Sequence, residues 1–353
     1  MSKRVRDSRK PFRKKYNFPS HRRRPSPKPS FPPASAWAAL AEKALERRRD
    51  LFETPATTAF RLIHGQGDGF PGVSVDLYGD VLVAHLYEGA RETDVRNFAG
   101  WLAAQVHAKS VYLKVRPKQA NILKTSEVKK LASDKPVWGQ EVPECVVLEN
   151  GIRYRIRPGE GLSTGLFLDM REARAAVSRE ARGKTVLNCF AYTCGFGLAA
   201  LKGGASRVLN LDLSRRYLDW GMENMTLNGF KPDPHDFVSG DVFDWLKRFG
   251  RRGETFDRVI LDPPSYSSSR QHRFTAERDY PMLVKLAAPV VASGGQMLVS
   301  TNAHQLGTEK FLKDVRDSVP AQAAKTVRIT NEPSVDFPAV KKQNYLKICW
   351  ISF

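Results

Sequence analysis

From residue 184 to the C-terminus, short apolar runs alternate with stretches of helical periodicity. This alternation constrains the fold more than any other feature of the chain. The strand-like runs are residues 185–189, 207–212, 235–239, 256–261 and 295–300. Between them, residues 197–202, 214–227, 241–249 and 276–291 read as helices. The last third adds further segments at 309–318, 324–330 and 345–353. Such an order predicts an α/β fold with a doubly wound, mostly parallel, Rossmann-like sheet. In sheets of this kind ligands bind just past the carboxyl ends of the strands. The residues that follow each strand are therefore the candidates for chemistry.

The fourth run leads into Asp262-Pro263-Pro264-Ser265-Tyr266. Two prolines lack N–H groups and fix φ, so the chain must leave a central sheet there. An acid, a rigid turn and an aromatic side chain suit a loop that holds a flat base against a methyl donor. The plainer reading is a proline-capped strand with a core tyrosine. The first run leads into Asn188-Cys189-Phe190-Ala191-Tyr192-Thr193-Cys194-Gly195-Phe196-Gly197, where Gly195 allows a tight turn beside a ligand. The second run ends at Asp212, followed by Leu213 and Ser214; an acid at that place accepts both hydroxyls of a ribose. The third leads to Gly240-Asp241-Val242. Asp241 suits the amino group of an adenine, with Val242 over the ring, and it equally suits a helix N-cap.

A competing pattern overlaps the first loop. Gly195-Phe196-Gly197-Leu198-Ala199-Ala200 fits the G-x-G-x-x-A fingerprint of dinucleotide oxidoreductases. Dinucleotides and other adenosine-bearing cofactors share that nucleoside, so Asp212 does not separate them. The Asp262–Tyr266 loop does, because a dehydrogenase has no use for it.

Upstream lies a smaller unit. Residues 36–51 and 93–106 read as helices, and 59–63, 73–77, 81–86 and 110–115 as strands. Tyr78-Gly79-Asp80 supplies a hairpin turn, and Asn150-Gly151 a second one of type I′ between 145–148 and 152–156. The division is expected at this second hairpin: a small α/β domain over 36–150 and a catalytic domain over 151–353. Residues 1–35 are rich in Arg, Lys, Pro and Ser without apolar periodicity, so a disordered basic tail is expected.

The charge points to a polyanionic partner. The chain of 353 residues carries a formal +20. Residues 1–30 hold 12 Lys and Arg against one acid, Asp7, whereas the other 323 residues carry 45 basic and 36 acidic side chains. Phe12, Tyr16 and Phe18 lie among the tail cations, which suits stacking on single-stranded bases together with phosphate contact. RNA is the expected partner of residues 1–30, against the alternative of a merely solubilising extension. The four cysteines, Cys145, Cys189, Cys194 and Cys349, form no C-x-x-C pair, so neither a metal site nor a disulfide framework is expected. No apolar run reaches the ~18 residues of a membrane span and no signal segment opens the chain, so a soluble, cytoplasmic protein is expected.

Together, 188–195, Asp212, Asp241 and the Asp262–Tyr266 loop resemble a class I S-adenosylmethionine-dependent methyltransferase. Two stretches narrow the resemblance. Gly161-Leu162-Ser163-Thr164-Gly165-Leu166-Phe167-Leu168-Asp169-Met170-Arg171 is similar to the T-G-x-F-x-D-x-R segment of a bacterial large-subunit (23S) rRNA methyltransferase family. Gly67-Asp68-Gly69-Phe70-Pro71-Gly72 and Val75-Asp76-Leu77-Tyr78-Gly79-Asp80 are similar to the small domain of that family. The likeness spans about residues 40–353, without the N-terminal PUA domain that some members carry. It implies a methyltransferase with S-adenosylmethionine as cofactor, held by Asp169, Arg171, Asn188, Phe190, Tyr192, Thr193, Gly195, Asp212, Ser214, Asp241, Val242 and Asp262. It implies 23S rRNA or a large-subunit assembly intermediate as substrate.

The family divides between cytosine C5 and guanine N7. Carbon 5 is a poor nucleophile and needs a cysteine thiolate to add at carbon 6. Here the fourth strand gives Pro263-Pro264-Ser265, and the fifth gives Ser300-Thr301-Asn302-Ala303-His304 where C5-type relatives place a cysteine. A ring nitrogen already carries an in-plane lone pair and needs orientation and desolvation alone. Guanine N7 is therefore the expected target, with Asp262, Pro263, Pro264, Tyr266 and Asn302 as the catalytic set. Tyr266 is expected to stack on the base, and Asn302 to hydrogen-bond it or serve as a turn residue. His304, Arg270, His272 and Arg273 are expected nearby, the arginines as phosphate contacts. The alternatives are cytosine C5 methylation, a non-catalytic RNA-binding assembly factor that keeps the fold, and a nucleotide-dependent oxidoreductase.

Overall fold

The computed structural model describes residues 30–116, 131–264, 266–268, 273–303, 305–320, 326–329, 334–339 and 345–353. The expectations for the basic tail up to residue 29, and for Ser265, Arg270, His272 and His304, lie outside the described residues, as do those for the side chains of Tyr266 and Arg273.

The small unit is built on a sheet of β1 (Ala59–His64), β2 (Val73–Tyr78), β3 (Val81–Leu86), β4 (Ser110–Val115) and β5 (Trp138–Gly139), in that spatial order. All neighbours are antiparallel except β3 and β4, which are joined by the helix Glu92–Gln105. Residues of one parity, such as Leu82, Ala84 and Leu86, pack under this helix and Ala34–Arg47. The other parity, with Tyr78, Val81, Val83 and Tyr112, packs toward the rest of the chain. Both faces are covered, so every residue of β2 and β3 is buried, the polar Ser74, Asp76 and His85 included.

A hairpin of β6 (Cys145–Glu149) and β7 (Ile152–Ile156) stitches the two units together. Its turn residues Asn150 and Gly151 have φ of 51° and 75°, as a type I′ turn requires. From β6, Leu148 exchanges hydrogen bonds with Thr58 of the small unit. From β7, the Arg155 and Arg153 amides donate to Asn224 Oδ1 and Asn228 Oδ1 at the far side.

The second sheet contains β8 (Thr185–Cys189), β9 (Arg207–Asp212), β10 (Phe237–Ser239), β11 (Phe256–Leu261), β14 (Val291–Thr301), β15 (Thr326–Ile329) and β16 (Lys347–Ser352). Their order is β10-β9-β8-β11-β14-β16-β15, the first five parallel and the last two antiparallel to their neighbours. Leu187, Leu209, Val259 and Met297 face the helices Val242–Arg252, Ala276–Ala287 and Thr308–Ser318. Val186, Val208, Ile260 and Leu298 face Arg171–Arg179 and Gly195–Lys202. The result is the three-layered, doubly wound α/β arrangement the alternation predicts.

The helix expected over 36–51 is broken at Arg48 into Ala34–Arg47 and Arg49–Phe52, and further differences from expectation lie in the second unit. The helix expected to 291 ends at Ala287, because Pro289 cannot donate to the ladder; a 3-10 turn follows and β14 starts at Val291. β14 pairs Val291 with Phe256 and next Gln296 with Arg258, so the intervening residues leave the register around Gly294, whose φ is 74°. The strand expected from 235 begins at Phe237, since Pro234–Asp236 form a 3-10 turn capped by Asp233. Beyond Pro264 the chain forms a separate hairpin of β12 (Tyr266–Ser268) and β13 (Arg273–Thr275), a stretch expected as loop.

Candidate active site

The carboxyl ends of β8, β9, β10, β11 and β14 open into one cavity of about 580 Å³. The loop after β8 forms its floor under strain. Phe190, Tyr192 and Cys194 all adopt left-handed φ, at 58°, 51° and 62°. Each such residue costs on the order of 1–3 kcal/mol and persists only where its surroundings enforce it. Ala191 N–H donates to Leu211 O, Tyr192 N–H to Asp212 Oδ2 at 2.9 Å, and Cys194 N–H to Ala191 O. Cys194 also sits against Gly221, where an added Cβ would lie 2.3 Å from its Sγ. The Thr193 hydroxyl fixes the loop from the other side by donating to Gly165 O at 2.5 Å.

Asp212 is anchored through both oxygens, since Oδ1 accepts Ser214 N–H at 2.8 Å while Oδ2 accepts Tyr192. A carboxylate has about four lone-pair sites, so acceptor capacity remains on both oxygens. That donor set fits two adjacent hydroxyls. Burial raises its pKa while the surrounding amides oppose the rise. Leu213 is exposed and lines the cavity, as do Ser214 and Tyr217.

Asp241 is the N-cap of Val242–Arg252, accepting Phe243 N–H at 2.9 Å, and with Val242 it lines the cavity. The capping reading and the lining position coexist.

At the end of β11, Asp262 Oδ1 accepts the Ser300 hydroxyl at 2.6 Å. Burial pushes the Asp262 carboxyl up to about 6, with the Ser300 bond opposing and the Asp169 carboxylate adding to the rise. Pro263, Pro264, Asn302 and Phe274 share its part of the lining. Phe274, on β13, is buried within 6.2 Å of Phe190 and 5.9 Å of Phe243, ring to ring. Asp169 accepts the Tyr345 hydroxyl at 2.8 Å and is raised by burial, against Arg61 and that bond.

The cavity thus gathers Asp169, Phe190, Tyr192, Thr193, Gly195, Asp212, Ser214, Asp241, Val242, Asp262, Pro263, Pro264 and Asn302 from the expected set. Among the described side chains of that set, two do not line it. Arg171 is buried and turns to Asp336, donating to Oδ2 at 3.1 Å and Oδ1 at 2.7 Å. A guanidinium at that depth requires a carboxylate, and Asp336 also accepts the Arg61 amide. Asn188 lies inside the sheet and donates to Asn210 Oδ1 at 2.9 Å on the adjoining strand. Gly197 makes room for that pair, because a Cβ there would lie 2.2 Å from Asn210 Oδ1. The second glycine of the apparent dinucleotide fingerprint thus has a packing reason.

Three lining residues carry no sequence signal of their own: Arg116 from the small unit, Arg174 and Phe274; Phe167, the aromatic of the T-G-x-F-x-D-x-R segment, also lines the cavity. Arg174 is neutralised by Glu149 through bonds of 2.6 and 2.7 Å. The four cysteines, all described, stay out of the lining. Cys189, Cys194 and Cys349 are buried, and the Cys145 thiol faces Tyr78 O at 3.8 Å. Burial pushes Cys145 and Cys349 up to about 12 and raises Cys189 and Cys194 as well. Among the described residues no helix is long and apolar enough to cross a membrane, and no His/Cys/Asp/Glu group is arranged to hold a metal ion.

Comparison with known proteins agrees with this geometry. A family model described as S-adenosylmethionine-dependent methyltransferase matches residues 60–351. A ribosomal RNA large subunit methyltransferase I from Photobacterium profundum is 36% identical over 78% of this chain and 69% of its own length. The protein of the same name from Aeromonas salmonicida is 34% identical over 78% of this chain and 68% of its own. The crystal structure of SMU.776 complexed with SAH superposes with a TM-score of 0.81 at 30% identity, covering 90% of this chain and 81% of that one. The M. jannaschii tRNA m1G37 methyltransferase, at 16% identity and TM-score 0.53, shares the fold alone.

Proposed function

Since the chain belongs to the S-adenosylmethionine-dependent methyltransferases, we propose that it methylates 23S ribosomal RNA of the large subunit, at N7 of a guanine. The rRNA part of this reading draws on relatives named for large-subunit rRNA. The N7 part rests on one observation: Asp262, Pro263, Pro264 and Asn302 share a cavity with Asp212, and no thiol lines it.

S-adenosylmethionine supplies, when bound, a methyl group on a sulfonium centre. Asp212 holds the ribose hydroxyls with the lone pairs left by Tyr192 and Ser214. Leu213 and Val242 cover the adenine, and Asp241 accepts its amino group while capping its helix. Phe190, Tyr192, Thr193 and Gly195 form the surface for the methionine portion, with Asp169 beside it. Arg171 and Asn188 act at one remove, by fixing the segment around Asp336 and the sheet beneath the loop.

Asp262, Pro263, Pro264, Tyr266 and Asn302 hold the target base. The prolines give a rigid surface, Tyr266 stacks, and Asn302 hydrogen-bonds the base edge. An ionised Asp262 stabilises the positive charge that stays in the site throughout the transfer. Attack by N7 leaves no proton to remove, so these residues orient and desolvate without a general base. A target inside rRNA must be taken out of its stack or captured during assembly. Residues 1–30 supply sequence-independent phosphate contact. The division of labour follows the turn at Asn150: small domain 36–150, catalytic domain 151–353.

The test is a covalent trap. Large-subunit RNA carrying 5-fluorocytosine should form no adduct with the enzyme, and each single Cys→Ala variant should retain turnover. A trapped adduct, lost again in one Cys→Ala variant that still folds and binds S-adenosylmethionine, would establish cytosine C5 chemistry instead.

A further inference from the structure

Arg116 enters the cavity from the small domain, one residue past β4. A buried polar relay orients it. Arg61 donates to Asp76 Oδ1 at 2.6 Å and Oδ2 at 3.0 Å. Asp76 Oδ2 lies 3.0 Å from His85 Nε2, and Arg116 Nε donates to His85 Nδ1 at 3.2 Å. Arginine cannot accept a hydrogen bond, so Nδ1 is the acceptor and Nε2 carries the proton. His85 is therefore the neutral tautomer that links an anion, Asp76, to a cation. Arg116 also donates to Leu162 O at 2.5 Å, which fixes the other side of its guanidinium.

The charge balance then singles Arg116 out. Among the described residues the cavity has two arginines in its lining, Arg116 and Arg174. Glu149 neutralises Arg174. Arg61 satisfies Asp76 bidentately, so the relay brings no net negative charge to Arg116. Among the described residues no carboxylate pairs with Arg116 directly. A half-buried, fixed and uncompensated guanidinium in a ligand cavity calls for an anion. The segment that Arg116 grips at Leu162 O also lines the cavity through Ser163 and Gly165, and Gly165 O accepts the Thr193 hydroxyl of the loop after β8. That is the wall on which the methionine portion of the cofactor is proposed to lie.

We infer that Arg116 holds the α-carboxylate of S-adenosylmethionine, so that the small domain contributes directly to the cofactor site and Asp76 and His85 act as its positioning residues. The inference uses the cofactor of the family and is independent of which base is methylated.

The test compares two ligands on the same protein: S-adenosylmethionine and its decarboxylated analogue, titrated by calorimetry into wild type, Arg116→Gln and Arg116→Lys. Wild type should prefer the carboxylated ligand by about 10- to 100-fold, the worth of a charge-assisted pair. Arg116→Gln should lose most of that preference, and Arg116→Lys should keep part of it. The preference is a ratio within each variant, so a partly unfolded sample does not alter it. A wild type without preference, or an Arg116→Gln variant that keeps it, would overturn the inference. Unchanged cofactor binding with a raised KM for RNA would assign Arg116 to the RNA backbone and equally overturn it. Failure of wild type to bind either ligand would remove the cofactor assignment itself.

Discussion

The Ser300 hydroxyl donates to Asp262 Oδ1 at 2.6 Å, across two neighbouring parallel strands. This bond favours the ionised form of a carboxyl that burial otherwise pushes up to about 6. The reaction as proposed needs Asp262 ionised. Its folded value is raised, so the stability it contributes is present at low pH and is lost as pH rises through about 6. Methyl transfer, by contrast, should rise with pH through that value and then level off. Ser300→Ala should move the limb to higher pH, and Asp262→Asn should abolish it. A pH–rate profile in single turnover checks both, and a flat wild-type profile from pH 5 to pH 8 would contradict the role.

Asp212 governs the cofactor. Removing a carboxylate that accepts two ligand hydroxyls costs about 1.5–3 kcal/mol for each charged hydrogen bond. Asp212→Ala should therefore weaken S-adenosylmethionine binding by at least about tenfold. Calorimetry on the isolated protein reads this directly, and RNA affinity should be unmoved.

Arg171 should behave as a structural residue. Its removal leaves Asp336 buried without its guanidinium partner, a loss of about 3–5 kcal/mol for buried pairs of this kind. Arg171→Ala should lower the denaturation midpoint strongly, while cofactor affinity of the folded protein stays near wild type. A selective loss of cofactor binding with unchanged stability would return Arg171 to the site.

The buried histidines predict acid sensitivity. Burial lowers His85 to about 4 and His64 to about 4, both below the ordinary value of 6.5. Between these values the unfolded chain binds more protons, so stability is full above about 6.5 and falls as pH drops toward 4. For the fully buried His85 the loss is roughly 3 kcal/mol. Asp262 works in the opposite direction over part of the same window, so the acid loss should be steeper in Asp262→Asn. Urea titrations from pH 7 to pH 4.5 in both proteins test the sign.

How much of this was legible in the sequence follows from the kind of interaction involved. Strand ends are local features: a run such as 256–261 followed by two prolines carries its own boundary, and Asp212 and Asp262 are found by position. The doubly wound sheet follows from the same periodicity. Arg116 was not legible, because its place in the cavity depends on the packing of the small sheet and on His85, thirty-one positions away in sequence. Arg171 was misplaced for the converse reason. Its motif position is local, but its partner Asp336 is 165 positions distant. The glycine fingerprint, which the Asp262–Tyr266 loop already overruled, has its cause in packing: Gly197 answers to the side chain of Asn210 on the next strand, a contact no spacing rule contains. The hairpin after Pro264 was hidden because so short a pair leaves no periodic trace.

The most direct measurement is a nucleoside-resolved mass map of 23S rRNA from cells with and without this gene. The account predicts the loss of a single 7-methylguanine, restored by the wild-type gene and not by Asp262→Asn. Loss of a 5-methylcytosine, or an unchanged map, would contradict it.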